Sequence, residues 1–193
     1  MQSVCVFCGS SSGQRPEYRD VTRHIGREIA RRECTLVYGA GDIGLMGILA
    51  DTVLAEGGKV VGVIPQALVE REVAHHGLTE LHIVDSMHQR KALMAQRADA
   101  FLALPGGIGT LEELCEILTW AQLGIHNKPI GLLNTAGYFQ PLIDLIDHMI
   151  DEKFLKQSFR ELLIVADDPA PLLDACTNYS PPHIRRWLDL DET

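Results

Sequence analysis

Short runs of apolar residues alternate along this chain with longer segments in which apolar residues recur every three or four positions. The short runs predict strands, and the longer segments predict helices. Several runs are apolar throughout, which is typical of parallel strands covered on both faces. Strands are predicted at 4–8, 36–38, 60–64, 81–84, 100–104, 130–133 and 162–165, and helices at 16–32, 44–56, 87–98, 109–123, 139–151 and 169–176.

This alternation predicts an α/β fold, a Rossmann-like three-layer sandwich with a mostly parallel central sheet. Neither a linker nor a repeat divides the sequence. We therefore expect residues 1–180 to form a single domain and 181–193 to form a C-terminal tail. The polar connection at 66–80 is a candidate active-site loop, because functional residues concentrate in such loops.

Composition narrows the class of protein. The 193 residues carry a formal net charge of -9, which argues against nucleic acid as the main partner, since such proteins usually present a basic face. Apolar runs stay well short of the roughly 18 residues of a membrane span, so no membrane partner is expected. The sequence begins with Met-Gln-Ser and then a strand-like run, without a signal-peptide pattern. We expect a cytoplasmic protein.

The cysteines and histidines do not form a recognisable metal motif. The five cysteines lie mostly in apolar stretches, and Cys5 and Cys8 are three apart in a predicted strand. Such residues point to opposite faces, so core packing is a better interpretation than a disulfide or a shared metal. The eight histidines show no HExxH spacing, and no metal site is predicted.

Three glycine-bearing turns follow predicted strands, at 9–13, 39–47 and 106–110. Each alone could be a tight turn. Because ligands of open parallel sheets bind beyond the carboxyl ends of the strands, the three together indicate a shared phosphate or nucleotide crevice. Its candidate binding residues in the first two turns are Gly9, Ser10, Gly41 and Gly44.

The second turn contains GxGxxG at Gly39, Gly41 and Gly44, yet an NAD site is not favoured. Such a site needs an acidic residue about 20 positions later to hold the ribose, whereas this chain reads Val63-Ile64-Pro65-Gln66 there. The Walker motif GxxxxGK[ST] is also absent. A nucleoside monophosphate fits the glycine turns better.

Residues 102–120 read as a strand, a glycine turn and a helix start. Free N–H groups and a partial positive charge at that start suit a phosphate, but Glu112, Glu113 and Glu116 follow at once. Glu112 fits an ordinary first-turn carboxylate. Glu113 projects to a second helix face with Ile117 and Trp120, which predicts a pocket or a subunit contact there.

Arg90 projects to the apolar side of the preceding predicted helix, between Leu93 and Met94. An arginine there either extends its charge to solvent or anchors an anion inside the protein. Lys91 points elsewhere. If the strands before these two helices are neighbours, Arg90 and Glu113 face one ligand.

The motif PGGIGTLEE resembles the PGGxGTxxE signature of the Lonely Guy family, the cytokinin-activating phosphoribohydrolases. The similarity runs over about residues 2–180 and includes the opening CGSSSG, GLMG, the Arg90-Lys91 pair and TWAQLGIHNKPIGLLN. Family members often have a further glycine where this chain has Ala40 and a small polar residue where it has Asp42. The resemblance implies a usually dimeric Rossmann-like enzyme.

By this resemblance, the reaction is hydrolysis of the N-glycosidic bond of a nucleoside 5′-monophosphate, with adenine or a cytokinin-type purine as the base. Arg90 and Glu113 match the catalytic pair. Substrate-binding positions match Glu72, Lys91, Gly107, Ile108, Gly109, Thr110 and Thr119. We expect a homodimer, with a higher oligomer as the alternative.

We expect no cofactor, because a carboxylate can stabilise the cationic ribose and direct a water molecule. Members of the family have been labelled lysine decarboxylases, but none of the five lysines stands where a Schiff base to pyridoxal phosphate would be expected. The alternative function is a nucleotide sensor or carrier without turnover.

Overall fold

A computed structural model describes residues 1–69 and 74–182. Predicted residue Glu72 and residues 183–193 of the predicted tail lie outside the described residues. The division into one domain and a tail stays a prediction. Within the described ranges, no helix is long and apolar enough to cross a membrane.

The central sheet has seven strands, and every neighbouring pair is parallel. Each end of a predicted strand lies within one residue of its observed position, and the predicted α/β class is confirmed. The strands are β1 (Ser3–Phe7), β2 (Thr35–Tyr38), β3 (Lys59–Pro65), β4 (Glu80–Val84), β5 (Ala100–Ala103), β6 (Ile130–Leu133) and β7 (Leu163–Ala166).

Six helices match the predicted ones, again to within one residue at each end. A short seventh helix, α3, occupies the start of the connection that we expected to be a polar loop. The helices are α1 (Pro16–Arg31), α2 (Gly44–Ala55), α3 (Gln66–Val69), α4 (Met87–Arg97), α5 (Ile108–Gln122), α6 (Gln140–Asp151) and α7 (Pro169–Thr177).

The helices cover both faces of the sheet and produce three layers. Helices α1, α2 and α7 pack on one face, and α4, α5 and α6 pack on the other. Strand β1 shows why both faces need cover: Val4 and Val6 face the first core, and Cys5 and Phe7 face the second. Side chains alternate along a strand, so a strand that is apolar at every position must be buried on both sides.

The strand order is β4-β3-β2-β1-β5-β6-β7. The chain therefore winds outward from β1 to β4 and then returns to place β5 beside β1. The conditional expectation that the strands before α4 and α5 are neighbours is wrong, because three strands separate β4 from β5. Helix α4 instead packs across one face of the sheet, where it contacts β1, β2 and β3. The direction in which successive strands are added to the sheet thus reverses between β1 and β5.

His126 holds the turn after α5 against the rest of the protein. Nδ1 of His126 accepts a hydrogen bond from the Lys128 N–H at 3.1 Å. Nε2 therefore carries the proton and donates to the Ile117 carbonyl at 3.0 Å. The ring also packs on Phe101 at 5.2 Å between centroids. Burial, together with the nearby Lys128 charge, lowers the pKa of His126 to about 4.

We predict that this histidine makes the fold sensitive to mild acid. Between pH 6.5 and 4 the unfolded chain binds a proton that the folded His126 excludes, so the free energy of unfolding falls as pH falls, by roughly 3 kcal/mol in all. Urea unfolding of His126→Gln between pH 7 and 4 should show a shallower dependence than the wild type. The exposed His24→Gln is the control, and equal slopes for the two variants would contradict this role.

Candidate active site

A cleft of about 330 Å³ opens at the carboxyl ends of β1 and β5. This position is the topological switch point at which doubly wound sheets bind their ligands. Its walls combine backbone of the glycine turns with charged and apolar side chains. The cleft is lined by Val6, Phe7, Cys8, Gly9, Ser10, Gly39, Met46, Leu68, Met87, Arg90, Gly107, Ile108, Gly109, Thr110, Glu112 and Glu113.

The first and third glycine turns meet through their backbones. The Gly9 N–H donates to the Pro105 carbonyl at 3.1 Å, and the Gly9 carbonyl accepts from the N–H groups of Leu45 and Met46. A Cβ at Gly106 would collide with Thr110 and with the Gly9 nitrogen. Glycine is therefore required at Gly106 because the two turns have no room for a side chain between them.

Helix α5 begins at the cleft with its first turn exposed to a ligand. Gly107 is the N-cap, and no side chain caps the helix. By helix geometry, the N–H groups of Ile108, Gly109 and Thr110 have no carbonyl partner within the helix. A Cβ at Gly107 or Gly109 would meet no atom within 4 Å. The backbone thus faces open space, and an anion can approach its N–H groups closely.

The acidic residues of α5 separate into two groups. Glu112 and Glu116 both pair with Lys91, with Nζ–Oε1 distances of 2.6 and 2.9 Å. Glu113 lines the cleft next to the buried end of β1. Burial raises the pKa of the Cys8 thiol, and the Glu113 charge raises it further. Glu112 also lines the cleft and pairs there with Lys91, whereas the charge of Glu113 acts on the Cys8 thiol.

Arg90 enters the cleft from α4 and is almost fully buried, with 5% of its surface exposed. Ser86 caps the helix, accepting from the Gln89 N–H at 3.2 Å, and so sets where α4 starts. Nη2 of Arg90 donates to the Gly39 carbonyl at 3.1 Å. Burial raises the pKa of Cys5, which Glu113 raises further and Arg90 lowers, so both charged groups act on the same thiol under the cleft.

Four predicted binding residues do not line the cleft. Gly44 has a φ of +65° and packs against the Ser10 backbone, so it allows the first and second glycine turns to come into contact. Gly41 forms a bridge with Ala74. Lys91 is engaged by Glu112 and Glu116, and the Thr119 hydroxyl donates to the Cys115 carbonyl, farther along α5.

Much of the apolar surface of α5 is covered by the chain's own core, although Cys115 is exposed. Ile117 is buried in that core, and the partly buried Trp120 packs against it. Packing within the chain thus accounts for the burial of Ile117, and a subunit contact at this face stays a prediction.

Sequence reasoning identified Ile108 but missed three other apolar residues that line the cleft, namely Met46, Leu68 and Met87. Met87 and Ile108 are 41% and 81% exposed. Apolar residues near the start of a helix look like core residues in any periodicity analysis. Met46 lies within the second glycine turn that was predicted to border the crevice, and that position was the signal that could have identified it.

A second cleft, of about 290 Å³, adjoins the first across Gly9, Ser10 and Gly107. Its walls include Tyr18 and Tyr138, whose rings meet edge to face at 5.5 Å. The Tyr138 hydroxyl donates to the Gly106 carbonyl. This contact holds the β5–α5 turn from the side opposite Arg90.

Fold and cleft together define a doubly wound α/β protein with a crevice at its switch point, beside the open N-terminus of α5. Solved structures of this fold include the molybdenum cofactor binding protein of Rippkaea orientalis, with a TM-score of 0.69 and 18% identity over 91% of this chain and 95% of that one. The Moco carrier protein of Chlamydomonas reinhardtii is similar at a TM-score of 0.67 and 20% identity, over 91% and 96%. At these identities the likeness concerns the fold alone.

Sequence relatives are much more similar. A probable cytokinin riboside 5′-monophosphate phosphoribohydrolase of Oryza sativa subsp. japonica is 49% identical over 93% of this chain and 74% of its own. A cytokinin riboside 5′-monophosphate phosphoribohydrolase of Arabidopsis thaliana is 48% identical over 92% and 82%. The family described as possible lysine decarboxylase matches residues 46–176.

The chain belongs to this family of enzymes, whose curated members carry the name cytokinin riboside 5′-monophosphate phosphoribohydrolase. The description as a possible lysine decarboxylase would call for a lysine in the site, to form a Schiff base with pyridoxal phosphate. No lysine is among the residues that line the cleft in the described part of the chain. Lys128, for example, donates to the Ala95 carbonyl at 2.7 Å.

We predict that Gly39 is required because of Arg90. The three heavy atoms nearest to an added Cβ at Gly39 all belong to the Arg90 guanidinium. Gly39→Ala should lower the free energy of unfolding by about 1–3 kcal/mol, the usual cost of overpacking. In an Arg90→Ala background the same substitution should cost much less. Equal losses in both backgrounds, measured by urea unfolding, would show that the clash lies elsewhere.

Proposed function

We propose that this enzyme hydrolyses the N-glycosidic bond of a nucleoside 5′-monophosphate and releases a free base and ribose 5-phosphate. The observation that carries the proposal is the pairing of two features on one helix. The open N-terminus of α5 suits a phosphate, and Glu113 projects from the same helix into the same cleft. The names of the relatives at 47–50% identity support this reaction class.

In this proposal, the 5′-phosphate binds at the N–H groups of the α5 first turn. The backbone at Gly107 and Gly109 is open to a ligand, and Ser10 lines the same cleft. The aligned helix dipole favours a dianion at this position. Pairing of Glu112 with Lys91 offsets the negative charge of that carboxylate.

Glu113 acts on the sugar. Breaking the bond leaves positive charge on the ribose ring, and a carboxylate beside it stabilises that charge more strongly in the transition state than in the ground state. The same carboxylate orients a water molecule and accepts its proton as the water attacks C1′. The leaving base departs with the bonding electrons and takes up a proton from solvent, and Glu113 returns to solvent the proton that it accepted from the attacking water.

Arg90 lines the same cleft and acts on the nucleotide. A buried guanidinium offsets the negative charge that develops on the departing base. Its Nη2 bond to the Gly39 carbonyl holds the group in one orientation. The apolar wall of Met46, Leu68 and Met87 suits the faces of a purine ring.

The choice of base and the state of assembly are further parts of the proposal. The relatives are named for cytokinin ribosides, and we propose an adenine base with or without an N6 prenyl group. We also propose a homodimer, with a higher oligomer as the alternative, in the cytoplasm. Roles for Glu72, Lys91 and Thr119 in substrate binding stay predictions. Water is the only co-reactant, so the proposed reaction requires no cofactor.

We predict that Glu113→Gln lowers base release from AMP and from N6-isopentenyladenosine monophosphate by at least about 100-fold, because the variant loses both the charge and the proton acceptor. Free base is measured by chromatography. Glu112→Gln is the matched control, since it removes the neighbouring carboxylate that pairs with Lys91. Full turnover by Glu113→Gln at unchanged thermal stability would refute the assignment.

The alternative function is a nucleotide sensor or carrier. The same experiment separates the two functions. A wild-type protein that binds AMP in calorimetry but releases no base from either nucleotide is a sensor or carrier. Base release that depends on Glu113 identifies the enzyme.

A further inference from the structure

The position of Arg90 depends on the β2–α2 loop (residues 39–43). The guanidinium donates to the Gly39 carbonyl, and it occupies the space that a side chain at Gly39 would fill. A shift of this loop therefore moves Arg90 or breaks its hydrogen bond. The loop in turn needs an anchor, because Ala40 within it has a left-handed φ of 62°, a conformation that is unfavourable for a residue with a Cβ.

The segment at 74–77 supplies that anchor through its backbone. The His75 N–H donates to the Ala40 carbonyl at 3.0 Å, and Ala74 forms an antiparallel bridge with Gly41. Ala40 and Ala74 are both buried, and they pack together with Ile64. The loop that carries the Gly39 carbonyl is thus paired with a segment that follows β3 in the chain.

The His75 ring ties this segment to α2 and to the loop itself. Nδ1 accepts a hydrogen bond from the Gly77 N–H at 3.1 Å, so the proton lies on Nε2. Nε2 lies 3.0 Å from Oδ1 of Asp51, on α2, and 3.7 Å from Oδ1 of Asp42, in the loop. The side chain of His75 is only 10% exposed. One ring therefore connects three elements.

We propose that His75 is a positioning residue for the reaction proposed above. Its ring holds the β2–α2 loop, and the loop holds Arg90 against the cleft through the Gly39 carbonyl. The proposal also accounts for Asp42, which stands where family members often have a small polar residue: its Oδ1 lies 3.7 Å from Nε2 of the His75 ring. His75 itself is not among the residues that line the cleft.

Two substitutions separate the contacts of the ring. His75→Gln places an amide N–H near the position of Nε2 and can still reach Asp51, whereas His75→Asn can accept from Gly77 but is too short for the carboxylates. We expect His75→Asn to lower kcat for base release from AMP by 10- to 100-fold, on the order of the cost of misplacing a catalytic group by 1 Å. KM should change less, since the α5 N-terminus is untouched. His75→Gln should recover most of the lost kcat, and the exposed His24→Asn is the control.

A second measurement tests the connection to Arg90 without using activity. Urea unfolding of His75→Asn, Arg90→Ala and the double variant forms a cycle, and we expect the two effects to be non-additive. Near-wild-type kcat in His75→Asn, or additive effects in the cycle, would overturn the proposal. If the wild type releases no base, the proposed function has failed, and the unfolding cycle alone decides whether His75 positions Arg90.

Discussion

Close contact between backbones at the carboxyl end of β1 is the constraint on which the site depends. Gly9 bonds through its N–H to the turn after β5 and through its carbonyl to the start of α2. Gly106 fits between Gly9 and Thr110 only because it has no side chain. These contacts join the turns at the switch point of the sheet and leave the first turn of α5 facing a cleft. Gly9 and Gly106 are therefore explained by close packing of backbone segments within the chain.

Ion pairing then separates the acidic residues of α5. Two of the three carboxylates, Glu112 and Glu116, pair with Lys91 from α4. The charge of Glu113 acts on the thiols of Cys5 and Cys8, and Glu113 lines the same cleft as Arg90 and Glu112. The cleft therefore brings together the open first turn of α5, two carboxylates and one buried guanidinium. Under the proposed function, Glu113 supplies the carboxylate that bond breaking needs and that nucleotide binding alone does not require.

Much of the fold was predictable because local signals were strong and consistent. Strands that are apolar at every position can only be buried on both faces, and alternation with amphipathic helices leaves few topologies. Helical projection placed Arg90 on the apolar side of its helix, although it left open whether the charge reached solvent, and it separated Glu112 from Glu113. The errors came where packing between distant segments decided the outcome. Ile117 and Cys115 lie on the same helix, and whether each is covered depends on what α5 packs against.

The sequence by itself determined the order and type of the main elements, the positions of the glycine turns, and the family. These follow from periodicity, backbone stereochemistry and motif spacing, which are properties of short stretches of chain. Only the tertiary structure decided which charged groups meet. Strands β4 and β5 are not neighbours, and Arg90 reaches the cleft because α4 crosses beneath the sheet to the Gly39 carbonyl. His75 likewise meets Asp42 and Asp51 only when β3, the β2–α2 loop and α2 are packed together. Contacts of this kind join residues far apart in the chain, and local sequence patterns do not encode the distances between them.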